Sequence, residues 1–272
     1  TFDEVDRIYN KWNYDSEVSQ INRAKGNQPI ALSRELENFL LQTGEMVRLT
    51  EGRFDPTIEP LQSLWKSHLD RGSIPTDDEI AAILPAVGWS RIHVQNGMVI
   101  KEDDRTCFDF GGIAKGLCVD LLVERIVNAG HSDVLVEWGG EVRAHGNHPE
   151  GRSWKVAIGR LEDVDAEDGI AYVELKDEAM ATSGDYIQKW SIDGKNYFHI
   201  FDIRSGKPLE SSSSSIASVS IKAPSCLVAD ALAKGAIVQP SKEKAVEWAY
   251  KLREQNIEVS IWLYNHNEDR KS

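Results

Sequence analysis

The feature that most constrains this chain is a change of apolar periodicity near residue 91. Before it, apolar residues recur at helical spacing. Residues 1–23 open with Phe2, Val5 and Ile8 and then reach a polar turn at 13–15. Ser33 stands ahead of Leu36, Phe39, Leu40 and Val47, and Thr76 ahead of Ile80, Ile83 and Leu84. A hydroxyl residue before such a run is the signature of a helix N-cap. After residue 91 the texture alternates. Residues 91–100 read as a hairpin about Asn96-Gly97, and 134–136, 154–158, 170–175, 197–203, 216–221 and 257–264 read as further strands. The stretches 116–127, 227–238 and 242–253 keep helical spacing. The pattern predicts an α+β fold with antiparallel pairing in its second half. No break in composition divides the 272 residues, so 1–272 is expected to be one domain.

The net charge of −13 repels a phosphate backbone, which argues against general nucleic-acid binding. A phosphorylated ligand would have to be held by local groups: backbone N–H, a metal or a few ammonium groups. Cys107, Cys118 and Cys226 fit neither a zinc pattern nor a disulfide framework. No apolar run approaches the roughly 18 residues that span a bilayer. The chain begins at Thr1 rather than Met, so a preceding segment is expected, and any signal peptide or lipid anchor would lie in it.

Six short segments carry candidate chemistry. In 109–116 (Asp-Phe-Gly-Gly-Ile-Ala-Lys-Gly) a strand is expected to end at Phe110, with a helix starting near Lys115. Paired glycines before a helix N-terminus admit a ligand to the backbone, and Lys115 offers a point charge for a phosphate. A tight turn with a solvated lysine fits the same spacing equally well. Glu137 to Glu141 is a second strand end with paired glycines, for which a bulge is the plain reading. Ala181-Thr182-Ser183-Gly184-Asp185-Tyr186 reads as a turn, either facing a ligand or merely structural. In 199–208, His199 and Phe201 share a strand face, and His199 is either a base, a metal ligand or a satisfied core histidine. Asp230 and Lys234 stack on one helix face. That is an ordinary ion pair unless the small apolar neighbours bury the carboxylate, which would then need a cation. Arg53-Phe54-Asp55, with Trp65 downstream, suits either a ligand-facing aromatic loop or plain packing.

The order of these segments resembles the FAD:protein FMN transferases, the ApbE family of flavin transferases. The resemblance rests on Ser16-Glu17 with Asn22, Phe54-Asp55-Pro56-Thr57, Gly88-Trp89, the 109–116 segment with Asp120, Gly139-Gly140-Glu141, the 182–186 segment, the 199–208 segment and Ala229-Asp230-Ala231-Leu232. It runs from about Asp3 to the end of the chain, and the family's usual first strand is expected ahead of Thr1.

It implies a single α+β unit of T-fold-like type, with a central mixed sheet flanked by helices. It also implies a reaction in which FMN passes from FAD to a Thr or Ser of a target flavoprotein as a phosphoester, AMP leaves, and Mg²⁺ assists. By position it makes Trp12, Arg53, Phe54, Asp55, Asp109, Lys115, Ser183 and Phe201 residues of the FAD site. Lys115 and His199 become the catalytic pair, with His199 as base, and Gly112 (through its carbonyl) and Asp230 become metal ligands. Related bacterial proteins face the periplasm, commonly on a lipid anchor, so the same placement is expected. The family's pattern has Thr four residues after the metal-binding aspartate, where this chain has Lys234. A protonated amine cannot ligate a cation. Lys234 either replaces the metal electrostatically or turns outward and leaves a weakened site. The departure keeps two alternatives open: an FAD pyrophosphatase releasing FMN and AMP, and a non-catalytic FAD-binding protein.

Overall fold

The computed structural model describes residues 1–159, 169–184, 189–192, 194–210 and 215–265. The helices are α1 (Phe2–Tyr9), α2 (Glu17–Arg23), α3 (Arg34–Leu49), α4 (Glu59–Leu69), α5 (Asp77–Ile83), α6 (Ala114–Asn128), α7 (Cys226–Ile237) and α8 (Lys242–Glu254). The strands are β1 (Ile30–Ala31), β2 (Ile92–Gln95), β3 (Met98–Lys101), β4 (Val134–Trp138), β5 (Glu141–His145), β6 (Trp154–Ile158), β7 (Ala171–Leu175), β8 (Ala179–Gly184), β9 (Lys189–Ile192), β10 (Lys195–Asp202), β11 (Lys207–Glu210), β12 (Ile216–Ala223) and β13 (Ser260–Asn265). They fall into two compact units, Thr1–Gly112 with Lys189–Glu210, and Ile113–Gln188 with Ser211–Ser272. The chain leaves the first unit and returns to it, so no single cut separates them and composition carries no break. Among the described residues no helix is long and apolar enough to cross a membrane.

The first unit is built from capped helices and short antiparallel sheets. Ser33 Oγ accepts from Leu36 N at the start of α3, and Thr76 and Glu79 form a complete capping box on α5. The expected hairpin at 92–101 forms with Val94 opposite Val99, and β1 adds to its free edge. Asn96 (φ 53°) and Gly97 (φ 71°) take the left-handed turn conformation that a two-residue hairpin needs. The second sheet, β11-β10-β9, lines a core of Leu61, Trp65, Leu69, Ile80, Val87 and Tyr197. Trp65 is packing, not a ligand face: it is buried, and its Nε1–H donates to Gly206 O at 2.8 Å.

The expected strand ending at Phe110 does not form. Residues 106–110 are extended but pair with no strand among the described residues. Side chains satisfy their backbone instead. Asn22 accepts from Phe108 N (2.7 Å) and donates to Phe108 O (3.0 Å), while Asp109 N donates to Pro56 O at 2.7 Å. Fully buried Lys101 donates to the carbonyls of Asn22, Asp104 and Thr106 at 2.8–3.1 Å. An ammonium group so buried keeps its charge only with such partners.

In the second unit an antiparallel sheet runs β13-β12-β8-β5-β4, and β6 and β7 form a separate pair, as the alternation at 154–158 and 170–175 predicts. The segment read as a turn at 181–184 is instead part of β8, one strand in from β12 and buried on both faces. Burial on both faces removes the alternation by which a strand is recognised in sequence. Asp185, Tyr186 and most of the serine run at 211–215 lie outside the described residues. Helix α7 packs on β8 and β12, and α6 packs on α7, β4 and β5. Small residues let α7 sit close, with Ala229, Ala231, Ala233 and Ala236 fully buried.

Helices α6 and α7 meet at Gly116, where a Cβ would lie 2.4 Å from the carbonyl oxygen of Cys226. Gly116→Ala is therefore expected to destabilise the protein by about 3 kcal/mol, at the upper end of overpacking costs. Urea unfolding measures this, and a change within about 0.5 kcal/mol would show that the helices can separate without cost.

Candidate functional site

The second unit gathers charge at the crossing of α6 and α7. Each helix supplies an aspartate to the start of the other. Asp120 of α6 accepts from Cys226 N (2.8 Å) and Leu227 N (2.9 Å), the first N–H groups of α7. Asp230 of α7 accepts from Gly116 N of α6 at 3.2 Å. Unpaired N–H groups at a helix start favour a carboxylate through both hydrogen bonding and the helix dipole. Burial pushes the Asp120 carboxyl up, against the pull of those two N–H groups and of Arg143, whose Nη1 donates to Oδ1 at 2.9 Å.

Around Asp230 stand Glu141, Lys115, Lys234 and Ser183. The Lys115 ammonium pairs with Glu141 Oε1 and reaches Gly139 O at 3.3 Å. Glu141 opens β5 directly after the Gly139-Gly140 turn, with no exposed surface. Burial, and then the Asp230 carboxylate, push its carboxyl up to about 7 against Lys115 and Lys234. Its Oε2 is buried and has no hydrogen-bond partner. Lys234 Nζ donates to Ser183 Oγ at 2.7 Å and faces Asp230 Oδ1 at 3.4 Å. Of the two arrangements open in the sequence, the chain adopts the inward one.

This settles the fit of a divalent ion to the residues present. Magnesium takes oxygen ligands in near-octahedral geometry. Asp230 spends one oxygen on Gly116 N and turns the other to Lys234, which also engages Ser183 Oγ. Glu141 spends Oε1 on Lys115. The oxygen face of Asp230 is held by an ammonium, and among the described residues no group of three or more His, Cys, Asp or Glu could hold a metal. The residues as arranged do not fit the ion.

The first unit holds the other residues singled out in the sequence. Trp12 is 77% exposed, with the Lys11 and Lys66 ammonium groups 4.9 and 5.7 Å from its ring centre. Phe54 is buried. Asp55 accepts from Thr57 N, Thr57 Oγ1 and Trp89 N at 2.7–2.9 Å, which locks its loop; burial pushes its carboxyl up against those bonds. Arg53 Nε is buried without a partner, and burial, followed by nearby Arg204, lowers its basicity. Asp109 accepts from Gly111 N at 2.8 Å and pairs with Lys11 at 2.9 Å, just ahead of Gly112. His199 and Phe201 are half-buried on β10, and Phe201 meets the Trp65 ring edge-on at 6.5 Å. Lys115, Ser183, Asp230 and Lys234 thus belong to one unit, and His199, Phe201, Trp12, Arg53, Phe54, Asp55, Asp109 and Gly112 to the other. Sequence reading passed over Lys11 and Arg143, which carry no local signal, and named Glu141 in a paired-glycine motif without giving it a role. Its place straight after two glycines was the available cue.

The fold is that of an α+β protein with a cluster of buried charged groups at a helix crossing. A family model described as the ApbE family matches residues 1–261, and the chain belongs to that family. An FAD:protein FMN transferase of Chlamydia pneumoniae is 44% identical over 253 residues, covering 91% of this chain and 77% of its own. Another of that name, from Vibrio cholerae, is 32% identical, covering 87% and 70%. The solved flavin transferase ApbE from Vibrio cholerae gives a TM-score of 0.81 at 28% identity over 97% of this chain and 81% of its own. The apo flavinyl transferase ApbE of Pseudomonas stutzeri gives 0.82 at 27%, over 97% and 80%.

The displaced Glu141 carboxyl has a consequence for stability. Between its ordinary 4.5 and about 7 the folded chain holds this proton more firmly than the unfolded chain, so stability falls as pH rises through that window. The urea midpoint of the wild type is expected to drop more between about pH 5 and about pH 7.5 than that of Glu141→Gln. Parallel pH profiles would show that Glu141 titrates like an exposed carboxylate.

Proposed function

We propose that this protein is an FAD:protein FMN transferase, taking FAD as substrate and a second protein as acceptor. The observation that carries this reading is the family match across residues 1–261, together with a relative of that name 44% identical over 253 residues. An acceptor Thr or Ser hydroxyl attacks the phosphorus of the FMN half of FAD. A new P–O bond forms, the P–O bond to the AMP phosphate breaks, and AMP leaves with that electron pair. His199 takes the hydroxyl proton: a neutral imidazole is a competent base near neutral pH. Arg53, Phe54, Asp55, Asp109, Trp12, Phe201 and Ser183 hold the dinucleotide.

Charge builds on the transferring phosphoryl group and on the departing AMP, so fixed positive groups lower the barrier. Lys115, held by Glu141 at the N-terminal end of α6, is one such group. The acidic chain as a whole opposes an anionic substrate, and this makes local ammonium groups the more important. No step of this reading passes through magnesium.

Incubation with FAD and a threonine-bearing acceptor flavoprotein is expected to give acceptor fluorescence that survives denaturing electrophoresis, with AMP released in equal amount. AMP with free FMN and no adduct would overturn transfer in favour of hydrolysis. His199→Ala is expected to keep FAD affinity while transfer falls by about 10²–10⁴-fold. Transfer at near wild-type rate would remove His199 from the role of base.

A further inference from the structure

We propose that Lys234 is the resident cation of this site, so that FMN transfer by this protein needs no divalent metal. The inference rests on the function proposed above and concerns how the same site is neutralised. Lys234 lies one helical turn beyond Asp230 on α7, and its ammonium bridges Asp230 Oδ1 at 3.4 Å and Ser183 Oγ at 2.7 Å. Its side chain is only 20% exposed, while that of Asp230 is wholly buried. A buried carboxylate without a counter-charge is costly. Had Lys234 turned to solvent, Asp230 would keep the single N–H of Gly116.

Charge counting points the same way. Lys115 and Lys234 bring two positive charges against Asp230 and Glu141. The cluster is neutral when both carboxyls are ionised and net positive when Glu141 carries its proton. A divalent ion would add two further positive charges, or would have to expel Lys234 from its partners. Waters carried by the ion could complete its shell, but an ammonium already fills the space beside Asp230 and repels it. Exchange of Lys234 for threonine changes both terms: one positive charge is lost, and a hydroxyl that can act as a ligand replaces a group that cannot. The unpartnered Glu141 Oε2 is then one more oxygen for the incoming ion.

The experiment uses the full chain with FAD bound and Mn²⁺ as the probe, since Mn²⁺ accepts the same oxygen ligands as Mg²⁺ and is counted directly by electron paramagnetic resonance. Lys234→Thr is expected to bind Mn²⁺ at least about tenfold more tightly than the wild type. In parallel, AMP release with acceptor present is followed in EDTA and in MgCl₂. The wild type is expected to run at the same rate in both, and Lys234→Thr to be inactive in EDTA and restored by MgCl₂. Stoichiometric Mn²⁺ binding by the wild type, or loss of its AMP release in EDTA, overturns the proposal. Should Lys234→Thr fail to fold, the two wild-type measurements decide alone. Should AMP release be absent under every condition, the transferase reading fails, while Mn²⁺ binding by the wild type still decides whether Lys234 holds the cation's place.

Discussion

The second unit depends on the crossing of α6 and α7 at Gly116. Each helix begins against the other and is capped by the other's aspartate, Asp120 on Cys226 N and Leu227 N, and Asp230 on Gly116 N. The contact needs a residue without a side chain, because the Cys226 carbonyl lies where a Cβ would be. Close approach, reciprocal capping and burial of the two carboxylates are one arrangement. The partner helix's N–H groups supply hydrogen bonds to each buried carboxyl group, and the aspartates in turn satisfy N–H groups at each helix start.

From that crossing follows the electrostatics of the candidate site. Once Asp230 is fixed in a dry position, the β4–β5 turn brings Glu141 near it, and two like charges in low dielectric raise each other's cost. Lys115 and Lys234 answer that cost. This explains how a chain of net charge −13 gathers two ammonium groups, Lys115 and Lys234, beside two buried carboxyl groups. It also explains why Lys234 faces inward although a long amine on a helix could have reached water.

The first unit solves a different problem. The 106–110 segment runs without a strand partner into the glycine turn at 111–112. Asn22 imitates a neighbouring strand, and Lys101 ties the carbonyls of Asn22, Asp104 and Thr106 together. Asp55 does the same for the 54–57 loop through Thr57 and Trp89. Polar side chains used in this way rigidify loops at low cost only when every partner is present, and in both loops they are.

The sequence alone determined the element types wherever one face meets water: the Ser33 and Thr76 caps, the Asn96-Gly97 hairpin, the β6–β7 pair and α8. Periodicity is legible there because half of each element is polar. The ordered motifs also carried the family, and with it the candidate residues. Tertiary structure decided what periodicity could not encode. It made 179–184 a strand buried on both faces, left 106–110 without a sheet, and divided the chain into two interleaved units. It also decided between the two arrangements of Lys234, because that choice depends on whether Asp230 is dry, and dryness is a property of the packed helices rather than of any local run of residues.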